Sequence, residues 1–249
     1  MDTNHTDSQS SQSSHRSESF FFPISIDLSS QSLLVVGGGR QAYLETLKVL
    51  EYGARVDVIA SHMVAEFSSL KEIHGARINL LREKFAGDTI ARAKQKKYSL
   101  VYALSYADEE NRAAIEMGRE TSALIYACDH LNSSTFVPPT SIKRGHLKLS
   151  ASSDGLSPLL EEALVQRIEA HLTSDIDKYV LFLSNLKERI DALQSSIEPG
   201  LANKTVRELA STEEILFALK RLNFDEALSV TDSIIAEAVA TSSVKEGQT

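Results

Sequence analysis

Cysteine is nearly absent: Cys128 is the single one in 249 residues, which excludes an internal disulfide and any cysteine-based zinc site. The seven histidines contain no H-x-x-x-H pair. Basic residues are the minority, 26 Lys and Arg against 34 Asp and Glu, for a net charge of −8 and a pI near 5.4. With no basic stripe, nucleic acid is not expected as a partner. No stretch approaches the roughly 18 consecutive apolar residues that mark a membrane span. The opening residues, Met1 to His5, lack the basic-then-apolar order of a secretory signal. These absences together point to a soluble, cytoplasmic protein without a membrane partner. At 42% hydrophobic, the chain can bury one good core and a smaller second unit. Glycine is scarce too, 11 in all, yet three stand together at 37–39.

That triplet follows the β-branched, leucine-rich run Ser32-Leu33-Leu34-Val35-Val36 and precedes a helix-like run, after which Arg55-Val56-Asp57-Val58-Ile59-Ala60 reads as a second strand. Gly37, Gly39 and Ala42 have the G-x-G-x-x-G/A spacing of a dinucleotide site. Gly37 permits the tight turn and Gly39 lets backbone approach a pyrophosphate. Ala42 keeps the helix close to the sheet, and the helix-start N–H groups face the phosphate charge. The alternative reading is a turn that serves structure alone.

Residues 1–19 are Ser-, Gln- and Asn-rich without an apolar anchor and read as a disordered tail. The helix from Arg40 to Tyr52 stops at Gly53, a normal end signal. Strand-like runs Arg77–Leu81, Ser99–Leu104 and Ala123–Ala127 follow, with a helical pattern from Asp108 to Glu120 between the last two. Strands alternating with helices predict an α/β fold with a parallel sheet covered on both faces. Beyond Asp129 the pattern changes: Phe136-Val137-Pro138-Pro139 cannot be a central strand, and Ile142–Ala151 alternates like an antiparallel one. Ser157-Pro158 opens a helix, with Ser157 as N-cap and Pro158 at the first helical position. From Asp175 onward the pattern is helical, with later pieces near Ser211–Leu222 and Asp225–Ala240.

Three blocks in order and spacing carry a family resemblance. The first is Phe22-Pro23-Ile24-Ser25-Ile26-Asp27-Leu28 with Leu34–Gly39 and Gly53-Ala54-Arg55-Val56. The second is Cys128-Asp129 with Asn132, Phe136 and Pro139, and the third is Ser150 to Pro158. Together they resemble the precorrin-2 dehydrogenase module of siroheme synthases over roughly residues 20 to 170. The resemblance implies NAD-dependent oxidation of precorrin-2, a tetrapyrrole, to sirohydrochlorin, and some members also insert Fe2+. It implies a homodimer with a Rossmann domain (20–138), a small dimerisation element (139–170) and a helical C-terminal domain (171–249). Asp129 matches the family's key aspartate, a general base in dehydrogenation that is implicated in chelation as well. The pyrophosphate turn maps onto Gly37, Gly38, Gly39, Arg40 and Gln41. The adenosine half falls beside Ser61 and His62, and Ser105 after the fourth strand completes the cofactor set. Asn132 and Ser153 are the substrate candidates from the second and third blocks.

The chain also departs from that pattern. Leu44-Glu45 stand where members carry Arg-Lys, and Leu104-Ser105-Tyr106-Ala107 replace Ala-Thr-Asn/Asp, although Asn111 is kept. Tyr106 is expected to narrow the nicotinamide side of the site. These departures favour a second hypothesis, a weakened relative that binds nucleotide or tetrapyrrole and acts on another enzyme of haem synthesis. No carboxylate closes the second strand at Ile59-Ala60-Ser61-His62, and Asp57 lies mid-strand as a structural residue. Ser61 either bonds a ribose hydroxyl or caps the next helix. Lys143-Arg144-Gly145-His146 reads as a basic hairpin tip, where Lys143 and Arg144 either receive the carboxylates of a polyanionic substrate or form an ordinary solvated turn. Cys128 reads as a small buried hydrophobe. His130 and His146 read as surface or packing residues, so no metal ligand is assigned.

Overall fold

A computed structural model describes residues 21–172, 176–192, 212–213, 226 and 229–237. The expected tail and most of the late helical pieces lie outside these residues, while 229–237 are helical. The described residues fall into two compact units, one of residues 21–138 with Ser153–Leu156, the other of Pro139–Ser152 with the described residues from Ser157 onward.

In the first unit five strands and four helices alternate: β1 (Ser32–Val36), α1 (Arg40–Glu51), β2 (Arg55–Ile59), α2 (Glu66–His74), β3 (Ile78–Leu81), α3 (Asp88–Gln95), β4 (Leu100–Ala103), α4 (Asp108–Glu120) and β5 (Leu124–Ala127). Every neighbouring pair is parallel, in the order β3-β2-β1-β4-β5. β1 is central, and Leu33 to Val36 are all fully buried. Its period of two divides the core. Leu33 and Val35 face Val49 and Leu50 of α1 and Phe67 of α2. Leu34 and Val36 face Ala93 of α3 with Ala114 and Met117 of α4. Both faces are covered, so the strand is a continuous apolar run rather than an alternating one. Truncating any of these leucines to alanine costs roughly 2–5 kcal/mol.

The chain reverses direction across the sheet between β1 and β4. In such sheets the crevice at the carboxyl ends of these strands is where ligands bind. The free edge of β5 is covered by residues 134–136. Thr135 donates its backbone N–H to the Ile125 carbonyl (2.8 Å), and its hydroxyl accepts the Ile125 N–H (2.8 Å). The Ser134 hydroxyl accepts the Ala127 N–H (2.9 Å). Hydroxyl side chains thus occupy hydrogen-bonding positions that an edge strand leaves open.

The second unit begins with an antiparallel hairpin, β6 (Thr140–Arg144) and β7 (Leu147–Ala151), around Gly145 at φ +54°. The alternating stretch read as one strand from Ile142 is therefore two, paired Ile142 to Leu149 and Arg144 to Leu147. α5 (Pro158–Glu169) starts at the expected Ser-Pro. The Ser157 side chain does not cap it, however: the N–H groups of Leu160 and Glu161 bond its backbone carbonyl (both 3.1 Å). Glu161, buried, accepts the Thr140 hydroxyl (3.1 Å), joining α5 to β6. On α6 (Ile176–Ala192), Asp177 accepts both the His146 N–H (2.6 Å) and its Nδ1 (2.8 Å). His146 accordingly closes the hairpin tip onto a helix.

Candidate functional site

The glycine turn joins β1 to α1 and is built by close backbone approaches. Gly37 has φ +133°, and a Cβ there would run into the Leu104 carbonyl. A Cβ at Gly38 would meet the His62 carbonyl in the same way. The turn is stitched to its neighbours by Gly37 N–H to the Ile59 carbonyl (2.9 Å), Leu104 N–H to Val36 (2.8 Å) and Val64 N–H to Gly38 (2.9 Å). Gly39 is the N-cap of α1 and no side chain caps the helix. The first-turn N–H groups, those of Arg40 and Gln41 among them, therefore remain for an outside acceptor. This cradle has the backbone donors that a dinucleotide pyrophosphate requires, and its own three glycines add no side-chain bulk. Arg40 is exposed, meets Glu66 at 3.2 Å and lies 5.6 Å over the Tyr43 ring.

Ser61 and His62 are exposed in the loop after β2. α2 begins only at Glu66, with Ala65 at its N-cap, so Ser61 does not cap it and that alternative falls. Asp57 is held inside the unit by Lys96 Nζ (2.7 Å) and the Tyr98 hydroxyl (2.5 Å). At the departure Leu44-Glu45, Leu44 is partly exposed while Glu45 is buried and paired with Lys48 (2.9 Å).

After β4 the chain is clamped. Asn111, buried on α4, accepts the Ser105 N–H and donates to the Ser105 carbonyl, both at 2.8 Å. The Ser105 hydroxyl donates to Glu110 (2.5 Å) and accepts the Ala107 N–H (3.2 Å). Glu110, also buried, takes the Phe85 N–H (3.1 Å) with its other oxygen. The hydroxyl of Ser105 is thus engaged within the protein. Tyr106 lies over the turn itself: a Cβ at Gly39 would lie 2.6 Å from its hydroxyl oxygen and 2.7 Å from its ring. No periodicity signals that contact; only the unusual residue type drew attention to the position.

Asp129 follows β5 directly, in a 3₁₀ turn spanning Cys128–Ser133, and is exposed with Asn132. Neighbouring His130 contacts Asp108 at the start of α4 (2.5 Å), and Arg112 meets the other oxygen of that carboxylate (2.6 Å). His130 and Arg112 hold Asp108 below its usual pKa. The Cys128 thiol is half-buried, and burial first, then the Asp129 charge, raises its pKa. Ser153 belongs to the same unit as Asp129. Its carbonyl accepts the Leu156 N–H (2.9 Å), and Gly155 in that turn packs on Leu131, two residues beyond Asp129. Lys143 and Arg144 lie in the other unit, where Arg144 pairs with Glu169 (2.6 Å). Among the described residues no three His, Cys, Asp or Glu side chains gather as a metal centre, and no helix is long and apolar enough to cross a membrane.

Comparison with known proteins agrees with this geometry. Residues 24–140 match a family model described as "Putative NAD(P)-binding". A siroheme synthase of Gluconobacter oxydans is 26% identical over 178 residues, 72% of this chain and 37% of its own length. One of Acinetobacter baylyi is 25% identical over 228 residues, 91% of this chain and 47% of its own. One of Neisseria meningitidis reaches 31% identity over 152 residues, 61% of this chain and 30% of its own. The chain thus spans less than half the length of these relatives. Among solved structures, SirC, a precorrin-2 dehydrogenase, superposes with a TM-score of 0.65 at 21% identity, covering 86% of this chain and all of SirC; at that identity the likeness speaks for the fold. The chain is thus similar to siroheme synthases over part of their length, and its first unit carries the NAD(P)-binding fold that the family model describes.

Proposed function

We propose that this protein oxidises precorrin-2 to sirohydrochlorin with NAD+ in siroheme biosynthesis, Asp129 acting as the general base. The observation that carries the reading is the pairing of an uncapped glycine turn after β1 with an exposed carboxylate after β5, both at the carboxyl end of one parallel sheet. Bound at the turn, a nicotinamide cofactor supplies the hydride acceptor. Gly37, Gly38 and Gly39 leave room for the pyrophosphate, the N–H groups of Arg40 and Gln41 receive its charge, and Ser61 offers an exposed hydroxyl to a ribose. Asp129 takes onto a carboxylate oxygen the proton that the tetrapyrrole loses together with the hydride. The same carboxylate can relieve a pyrrole nitrogen of its proton, so Fe2+ insertion is the second reaction assigned to it. Asn132 and Ser153 are assigned to the substrate, with Lys143 and Arg144 to its carboxylates. We also assign a homodimer, supported by an exposed apolar stripe on α5 (Leu160, Leu164 and Ile168), and a cytoplasmic location.

The test is to mix the full chain with precorrin-2 and either NAD+ or NADP+ and record the absorption spectrum. NAD+ should support the change to sirohydrochlorin. Asp129→Asn alters shape little, so melting temperature and NAD+ affinity should hold while turnover falls about 10²–10⁴-fold, the usual cost of a positioned base. An asparagine variant as fast as wild type places the base elsewhere. A second reading, a relative that binds nucleotide or tetrapyrrole without turning it over and acts on another enzyme of haem synthesis, is favoured by the Tyr106 ring lying on Gly39. It takes the lead if wild type binds NAD+ but leaves precorrin-2 unchanged.

A further inference from the structure

The contact between Tyr106 and Gly39 has a specific origin. The residues on either side of Tyr106 are pinned: Ser105 by the two Asn111 hydrogen bonds and by Glu110, Ala107 by its N–H on the Ser105 hydroxyl. With the backbone fixed on both sides, the side chain projects over the turn. All three of the nearest atoms to a Cβ at Gly39 belong to Tyr106, within 2.6–2.7 Å. Yet the residue is 92% exposed, and its hydroxyl makes no hydrogen bond among the described residues. A rigid backbone therefore carries a loosely held ring, and the ring lies on the second glycine of the turn, where dinucleotide sites bring backbone closest to pyrophosphate.

We propose that Tyr106 is a ligand-gating residue that covers the pyrophosphate subsite, so that the turn accepts a dinucleotide only while the ring is rotated away. The inference rests on the nicotinamide-cofactor reading given above. An exposed side chain changes rotamer in picoseconds to nanoseconds, far faster than ligand arrival. The ring then acts on association as a population weight: apparent affinity and on-rate both fall by the fraction of time the turn is open, and the off-rate is unaffected. The weight is modest, because no hydrogen bond holds the ring down.

Calorimetric and stopped-flow titrations of NAD+ and ADP-ribose into the full chain test it, with Tyr106→Ala and Tyr106→Phe beside wild type. Alanine removes the cover, and both ligands should bind about 3–10-fold more tightly, the gain appearing in the on-rate. Phenylalanine keeps the ring and should match wild type. Melting temperatures should agree, since the side chain is outside the core. Equal or weaker binding by the alanine variant, or a faster off-rate in it, overturns the proposal, the latter by showing a ring that stacks on bound ligand. If no variant binds either ligand, the cofactor reading itself fails and this one with it.

Discussion

Gly39 ends at its Cα, and the space so left is what a phosphate needs. Gly39→Asp would place a Cβ against the movable Tyr106 ring, which can yield, so the fold should survive. The new carboxylate, however, would face the pyrophosphate. Like charges at about 4 Å repel by roughly 1–4 kcal/mol between bulk water and a protein surface, so NAD+ affinity should fall at least about tenfold. Titration of both proteins checks this, and equal affinities would remove the turn from the site. The residue types of the turn were legible because each has a physical duty that few other residues can perform. Asp129 was legible only through its family resemblance: nothing in the periodicity separates a carboxylate in a 3₁₀ turn from an ordinary loop residue. Tyr106 stands out in the sequence only as a departure from the family pattern, and its contact with Gly39 has no sequence signal. That contact is fixed by the Asn111 and Glu110 clamp, a tertiary arrangement without a sequence period.

Among the elements, the loop after β4 is the one held by buried polar groups, and its stability should depend on them. Asn111→Ala would leave the Ser105 N–H and carbonyl without partners, costing about 1–3 kcal/mol and lowering the melting temperature. Asn111→Asp should rescue only the N–H contact, because a carboxylate accepts but does not donate. Thermal denaturation of the two variants separates these outcomes, and an unchanged alanine variant would deny the clamp its role. β1 and β4 were readable because burial on both faces makes each a short apolar run, and the flanking strands because helical patterns separate them. The hairpin was legible at its tip, Lys143 to His146, while the alternation from Ile142 to Ala151 read as one strand; its phase marks the break, since Ile142 is even-numbered while Leu147, Leu149 and Ala151 are odd. The alternation changes phase across Gly145, which a single straight strand does not do.

At the scale of the whole molecule, α5 packs on the hairpin with one side and leaves Leu159, Leu160, Leu164 and Ile168 exposed. A two-fold pairing would cover this stripe in both copies at once. Sedimentation at micromolar concentration should therefore show a dimer, and Leu160→Glu with Leu164→Glu should yield a folded monomer. Wild type sedimenting as a monomer would sink the assignment. The fold class could be read from the order of strands and helices alone. Association could not, since a leucine on a helix face reads the same whether its neighbour is the same chain or another.

Cys128 gives the whole chain an unusual relation to oxidants. Peroxides attack thiolates rather than thiols, and burial together with the adjacent Asp129 charge keeps this sulfur protonated. Because Cys128 is the one cysteine of the sequence, no disulfide can form within it, and a smaller thiolate fraction slows oxidation to a sulfenic acid. The carboxylate assigned as base thus also lowers the thiolate fraction of the sulfur beside it, which makes Cys128 a slower target for peroxide than an exposed cysteine.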